Sequence, residues 1–199
     1  MKNSNRTSIF WILVIMLLFM SCHNKDRKIK NDLINLQQAP ICIPINKMDC
    51  IFNKCKESTL LVNENNDNLK LIIYADSIVC SSCRIKTMYK WDAVLSKLKK
   101  FPNKVKVFFI FAPSHDKINQ FKITARTLPR NYPIYTDTAN VFLRLNPHIP
   151  EDPTLHTFLL DENNKVILVG NPLENKRIEE MFWRIVKEKL GEPKDSVGQ

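Results

Sequence analysis

Glycine is scarce in this sequence: there are three in 199 residues, against eleven prolines. So small a share excludes collagen-like repeats and Gly-rich low-complexity sequence. Cysteine is also too sparse for a disulfide-stapled scaffold, with six in the chain, so its chemistry must reside in particular spacings. The longest apolar run, Ile9 to Met20, has twelve residues. As a helix it would rise about 18 Å against a hydrocarbon core of about 30 Å, too short to span a bilayer. There is no internal repeat, no aromatic-basic ladder and no nucleic-acid module. The net charge of +10 is therefore read as mainly solvated helix faces, with no nucleic-acid partner expected. What is present, 44% apolar and 9% aromatic residues, fits one globular domain plus about fifty residues of extras.

Lys2 and Arg6 precede the short apolar run, and Ser21-Cys22 follows it. A charged start, a brief apolar centre and a small residue make a secretory signal. Leu18-Phe19-Met20-Ser21-Cys22 resembles the lipobox of bacterial lipoproteins, with Phe19 bulkier than that family's usual aliphatic. The resemblance implies removal of residues 1–21 and a lipid on Cys22, which makes the membrane a partner. The mature chain would carry 28 basic against 20 acidic residues. It would sit in the cell envelope, facing the periplasm or the cell exterior, where thiols are oxidised. His23 in place of aspartate after the lipidated cysteine leans toward the outer membrane.

Residues 22–59 read as a tether and lead-in carrying Cys42, Cys50 and Cys55; one internal disulfide and one free thiol is the simplest outcome, with Cys50 and Cys55 the nearest pair. Residues 60–190 alternate strand-length apolar runs with amphipathic stretches, the pattern of an α/β domain, and 191–199 form a tail. Strands are expected at Leu69–Ala75, Val105–Ala112, near Ile134-Tyr135, at Thr157–Asp161 and at Val166–Gly170. Helices are expected over Ser81–Lys100, His115–Thr127, about Thr138–Leu145 and Glu174–Leu190. His115, His148 and His156 read as surface or loop residues, His156 being the one nearest the candidate site.

Cys80-Ser81-Ser82-Cys83 falls between the first strand and the first helix of that domain. Unpaired N–H groups at a helix start, with Arg84 beside them, stabilise a thiolate. This makes Cys80, expected to be exposed, the attacking thiol, and Cys83, expected to be shielded one turn on, the resolving thiol.

With these residues the chain resembles the thioredoxin-like superfamily, in particular the extracytoplasmic TlpA/ResA-like reductases and the related AhpC/TSA-type redoxins. The strand, C-x-x-C and helix unit at 69–100 carries the resemblance, together with Val105–Ala112, the segment Thr157-Phe158-Leu159-Leu160-Asp161-Glu162-Asn163-Asn164-Lys165-Val166 and the closing helix. It implies a mixed central sheet with helices on both faces, a redox dithiol at Cys80 and Cys83, and protein partners bearing disulfides or dithiols. No cofactor or metal is called for. Three positions depart from the family. Val79 replaces a tryptophan before the first cysteine. Tyr74 replaces a buried carboxylate, a role left to Asp76. Leu155 stands where the family has a cis-proline, in a trans bond that would reshape a substrate groove formed with His156 and Arg84.

Other readings compete. Ser77, three residues before Cys80, suits a peroxidase with Cys80 as peroxidatic thiol, although Ile73 stands where that pattern has proline. Cys80 and Cys83 could instead form a structural disulfide or help bind zinc. A non-enzymatic surface lipoprotein binding a partner or metal would also use this scaffold.

Overall fold

The computed structural model describes residues 26–51, 69–77, 81–101, 105–128 and 132–193. Three parallel strands form the middle of one six-stranded sheet: β2 (Leu69–Ala75), β3 (Val105–Phe111) and β4 (Ile134–Thr136). β5 (Thr157–Leu160) adds antiparallel to β2, and β6 (Val166–Val169) pairs antiparallel with β5. On the other edge β1 (Asp49–Cys50) lies antiparallel to β4, giving the order β1-β4-β3-β2-β5-β6.

All seven residues of β2 are buried, because it is central and covered on both faces; its side chains therefore alternate between two cores rather than between core and water. Leu69, Leu71, Ile73 and Ala75 join Phe109 and Phe111 in one core cluster. That face is covered by α2 (Ser81–Lys86), α3 (Asp92–Leu98), α4 (Ile118–Arg126) and α6 (Lys176–Leu190), which contribute Ile85, Val94, Phe121, Phe182 and Val186. Ile72, Tyr74, Phe108 and Ile110 point the other way, onto Phe142 of α5 (Val141–Leu145) and onto Leu36, Ile41 and Ile45. The expected mixed sheet with helices on both faces is what forms.

Residues 36–45, expected to lead into the domain, instead complete its second core. Residues 26–38 are helical (α1), and Leu36 at its C-terminal end is fully buried while Ile34 is exposed. The peptide of Ile41 donates to Asn164 O (2.9 Å). Asn146, also fully buried, accepts from Cys42 N (2.7 Å) and donates to Cys42 O and Phe142 O, both at 2.8 Å. The lead-in is thus fastened to the C-terminal end of α5. No helix among the described residues is long and apolar enough to cross a membrane.

Local chemistry explains where elements start and stop. Ser81–Lys100, expected as one helix, is three pieces. The hydroxyl and the peptide N–H of Thr87 both donate to Arg84 O (2.9 and 3.1 Å), which closes α2 before a 3-10 turn at Met88–Trp91 and then α3. α5 begins at Val141 rather than near Thr138, because Asn140 takes φ of 51°, a left-handed conformation that asparagine tolerates. The β5–β6 turn works alike. Asn164 has φ of 61°, and Asp161 Oδ1 accepts from the N–H groups of Asn163 and Lys165 (2.9 and 2.8 Å). Asn175 caps α6 by accepting from Arg177 N and Ile178 N (2.9 and 3.2 Å).

Candidate active site

The parallel strands β2, β3 and β4 all end on one side of the sheet, where β5 starts and β6 finishes. That edge gathers Asp76 after β2, Cys83 and Arg84 in α2, Asp137 and Asn140 after β4, and His156 before β5.

Cys83 is disulfide-bonded and exposed. Its exposure corrects the expectation of a shielded second sulfur, and helix geometry supplies the reason. Ser81, Ile85 and Met88 turn inward. With about 100° of rotation per residue, Cys83, two positions from both Ser81 and Ile85, is carried to the outer side. Cys80 lies outside the described residues, as do Val79, Cys55 and the lipid-attachment candidate Cys22. Cys42 is an exposed free thiol, whereas Cys50 is disulfide-bonded.

The two expected sources of thiolate stabilisation are smaller than the sequence suggested. α2 has six residues, and a short helix has a weak dipole. Arg84 lies 3.5 Å from Glu174, which neutralises part of its charge. Glu174 in turn accepts from Asn171 Nδ2 (2.9 Å). These three residues line a cavity of about 100 Å³ floored by Met88, Trp91 and Leu173.

On the opposite face of β2 lies a buried polar cluster. Tyr74 Oη donates to Asn140 Oδ1 (3.2 Å), and its ring packs against Phe142 and His156 with centroids 5.0 and 5.2 Å away. Burial pushes the Tyr74 hydroxyl far above its ordinary range, and the Asp76 and Asp137 carboxylates push the same way, so it stays neutral. Asp137 accepts from Val141 N and Phe142 N (2.8 and 2.7 Å) and so satisfies the start of α5.

His156, expected in a loop or at the surface, lies just before β5 and is 1% exposed. Its Nε2 is 2.7 Å from Pro150 O and its Nδ1 is 3.8 Å from Asp76 Oδ2; Asp76 itself is 6% exposed. The carbonyl of His156 accepts from Tyr74 N (3.0 Å), extending the β2–β5 ladder by one residue. Period-2 alternation held the signal: Phe158 and Leu160 face the second core, and His156 continues their row. The nearby prolines at 147, 150 and 153 mark the segment as a loop, which it is, and hide that the side chain is buried.

Leu155 ends a 3-10 turn at Pro153–Leu155, capped by Asp152, whose Oδ1 accepts from Thr154 N and Oγ1 (2.9 and 2.7 Å). Leu155 N donates to Asp152 O (3.0 Å), and no peptide bond among the described residues is cis. Arg84 lines the cavity on the Ile73 and Ala75 face, while the His156 ring packs on the Tyr74 face. Among the described residues, no three His, Cys, Asp or Glu side chains form a metal-binding group.

No protein-family model and no curated protein matches the sequence. Solved structures do show likeness. The Chlorobium tepidum protein assigned as thiol:disulfide interchange protein DsbE has a TM-score of 0.46 at 17% identity, over 63% of this chain and 82% of its own. The exposed lipoprotein thioredoxin Etrx1 of Streptococcus pneumoniae has a TM-score of 0.45 at 14% identity, over 62% and 89%. A thioredoxin-like protein of Bacteroides caccae has a TM-score of 0.42 at 15% identity, over 63% and 42%. These similarities lend no residue role to this chain. The strand order β3-β2-β5-β6, with β2 and β3 parallel, β5 and β6 antiparallel and helices after β2, β3 and β6, carries the assignment by itself: the fold is thioredoxin-like.

Proposed function

We propose that the chain is a lipid-anchored, extracytoplasmic thiol-disulfide oxidoreductase acting on protein disulfides through Cys80 and Cys83. One observation carries the reading. Cys83, the second cysteine of the C-x-x-C, is an exposed, disulfide-bonded residue in the first turn of the helix after the central strand, at the edge where the parallel strands end. An exposed disulfide on a rigid element is open to attack by a partner's thiolate.

In the reducing direction, the Cys80 thiolate attacks a partner disulfide. Its S–S bond breaks, one partner sulfur leaves as a thiolate and takes up a proton, and a mixed disulfide remains. Cys83 then loses its proton and attacks Cys80 Sγ, releasing the second partner sulfur. Two electrons pass from the dithiol to the partner. Oxidation of a partner runs the same steps backwards. A lipid on Cys22 would hold the domain close to the membrane, since Cys22 stands four positions before Asp26, which is already in α1, and four residues reach at most about 14 Å.

Reduction of insulin by dithiothreitol, with the purified mature protein as catalyst, tests the reading. Catalysis that disappears in Cys80→Ser supports it. Silence in the wild type, or consumption of hydroperoxide with a sulfenic acid at Cys80, overturns it in favour of the binding or peroxidase readings.

A further inference from the structure

We propose that α1 docks on an anionic bilayer through Arg27, Lys30 and Ile34, which holds the dithiol end of the sheet beside the membrane and makes disulfides near the membrane surface its substrates. The proposal rests on the lipid anchor at Cys22 and on the redox reading of Cys80 and Cys83, and it begins from the way α1 is mounted. Leu36, near the end of the helix, and Ile41, just beyond it, are buried in the second core. Ile41 N donates to Asn164 O, and the peptide of Cys42 is held at both its N–H and its carbonyl by Asn146. The helix is therefore built into the domain and is not a loose spacer. At most about 14 Å of chain joins a lipidated Cys22 to Asp26 of α1, so a lipid inserted in the bilayer brings the start of the helix down to the headgroups.

The free face of α1 suits that surface. With about 100° of rotation per residue, Arg27, Lys30, Asn31 and Ile34 fall within about 100° of arc, on the side opposite Leu36. All four are exposed. Asp32 turns to another flank, where it lines a groove with Lys28, His148 and Glu151, and Asp26 stands about 100° round the helix from Arg27. The central strip thus presents two cations beside an exposed isoleucine and no carboxylate. Cations flanking an apolar side chain are what a helix lying in the headgroup layer of anionic lipids requires.

The direction of α1 decides what else comes near the bilayer. Asp152, in the turn before β5, feels the charges of His156 and of Lys28, whereas Asn164, which receives Ile41, lies in the turn after β5. The first turns of α1 are therefore at the end of the sheet where β5 begins. Thr157 of β5 pairs there with Ile73, close to the end of β2, and β2 is followed by α2 with its exposed Cys83. Lipid and dithiol leave the sheet at the same end, and the dithiol is presented to disulfides close to the membrane.

The test uses the lipidated mature protein on phosphatidylcholine vesicles with and without phosphatidylglycerol. Tryptophan is placed on the strip as Ile34→Trp or, as a control, on the far side of the sheet as Ile123→Trp in α4; both sites are exposed. With phosphatidylglycerol, Ile34→Trp emission is expected to shift to the blue and to be quenched by brominated acyl chains. High salt is expected to abolish both effects, and adding Arg27→Gln and Lys30→Gln to lower the ratio of docked to undocked protein about 30-fold, at about fivefold per cation. Bound protein whose Ile34→Trp emission is the same on both vesicles, or quenching at Ile123→Trp instead, overturns the docking face. So does shielding of Ile34→Trp in a cross-linkable pair on neutral vesicles, which assigns the strip to a second copy of the chain. Failure of the wild type to bind either vesicle overturns the lipid anchor. Exchange is then followed with a disulfide peptide joined to a lipid headgroup by a short or a long spacer. The short spacer is expected to react faster on phosphatidylglycerol vesicles, an advantage lost in Arg27→Gln/Lys30→Gln. Equal rates with the two spacers overturn the substrate class, whereas a wild type inert to both peptides overturns the redox reading and leaves the docking to the fluorescence.

Discussion

Replacing Asn146 by alanine tests whether residues 36–45 belong to the folded core. Asn146 is fully buried and makes three side-chain hydrogen bonds, two to the peptide of Cys42 and one to Phe142 O. A net contribution of about 1 kcal/mol per bond gives a loss of about 3 kcal/mol. The Cys42 bonds are part-buried, so water can reach their orphaned groups and return part of that. The Phe142 bond is buried, but its carbonyl is already at the end of α5. The expected loss is therefore about 2 kcal/mol, or a fall in Tm of about 4–8 °C for a domain of this size. Urea unfolding of the mature protein reads it as a lower midpoint at unchanged slope. A shift below about 0.5 kcal/mol, the range of an ordinary surface substitution, would refute the claim that the lead-in is fastened to the core through Asn146.

Tyr74 makes the protein alkali-sensitive. Its folded-state value lies above the ordinary 10.0, so the unfolded chain releases the phenolic proton first; the stabilisation is complete below pH 10 and is lost as pH climbs beyond it. Tyr74→Phe should lose about 1 kcal/mol at neutral pH with the Asn140 bond, yet decline less steeply in alkali; parallel curves from urea melts at pH 7 to 11 would contradict this. Gly170 has φ of 120°, and a Cβ there would stand 3.2 Å from Ile178 side-chain atoms, so Gly170→Ala is expected to cost about 1–3 kcal/mol; an unchanged melting temperature would remove the strain argument. Cys22→Ala should release the protein from washed membranes, and a wild type already soluble in that fractionation would end the lipid-anchor proposal.

The parts of the fold that were legible in the sequence are those written in local periodicity. The runs at 69–75 and 105–111 have the length and β-branched, aromatic make-up of strands. The polar connection between Leu160 and Val166 marked the hairpin, and Phe182 and Val186 marked the inner face of the last helix. What was hidden depended on contacts far apart in sequence. Leu36, Ile41 and Ile45 look like parts of a tether and lead-in until Phe142 and Phe108 are seen to receive them, and Asn146 reaches a peptide 104 positions away. Thr87 ends α2 through its own side chain, in a stretch whose apolar spacing runs on unbroken. At the site, Arg84 was visible as a charge near the cysteines, but its neutraliser Glu174 comes from the far end of the chain. His156 was visible as a residue of interest, whereas its burial followed from strand pairing with β2.

The reading that Cys80 attacks and Cys83 resolves is open to direct test, because Cys83 is itself exposed. The reduced Cys83→Ser protein should be mixed with a peptide containing one disulfide, quenched with acid, and examined by intact mass and peptide mapping. The account predicts a stable one-to-one mixed disulfide on Cys80, absent from Cys80→Ser/Cys83→Ser and released by dithiothreitol. No adduct, or one carried instead by Cys42, would contradict it.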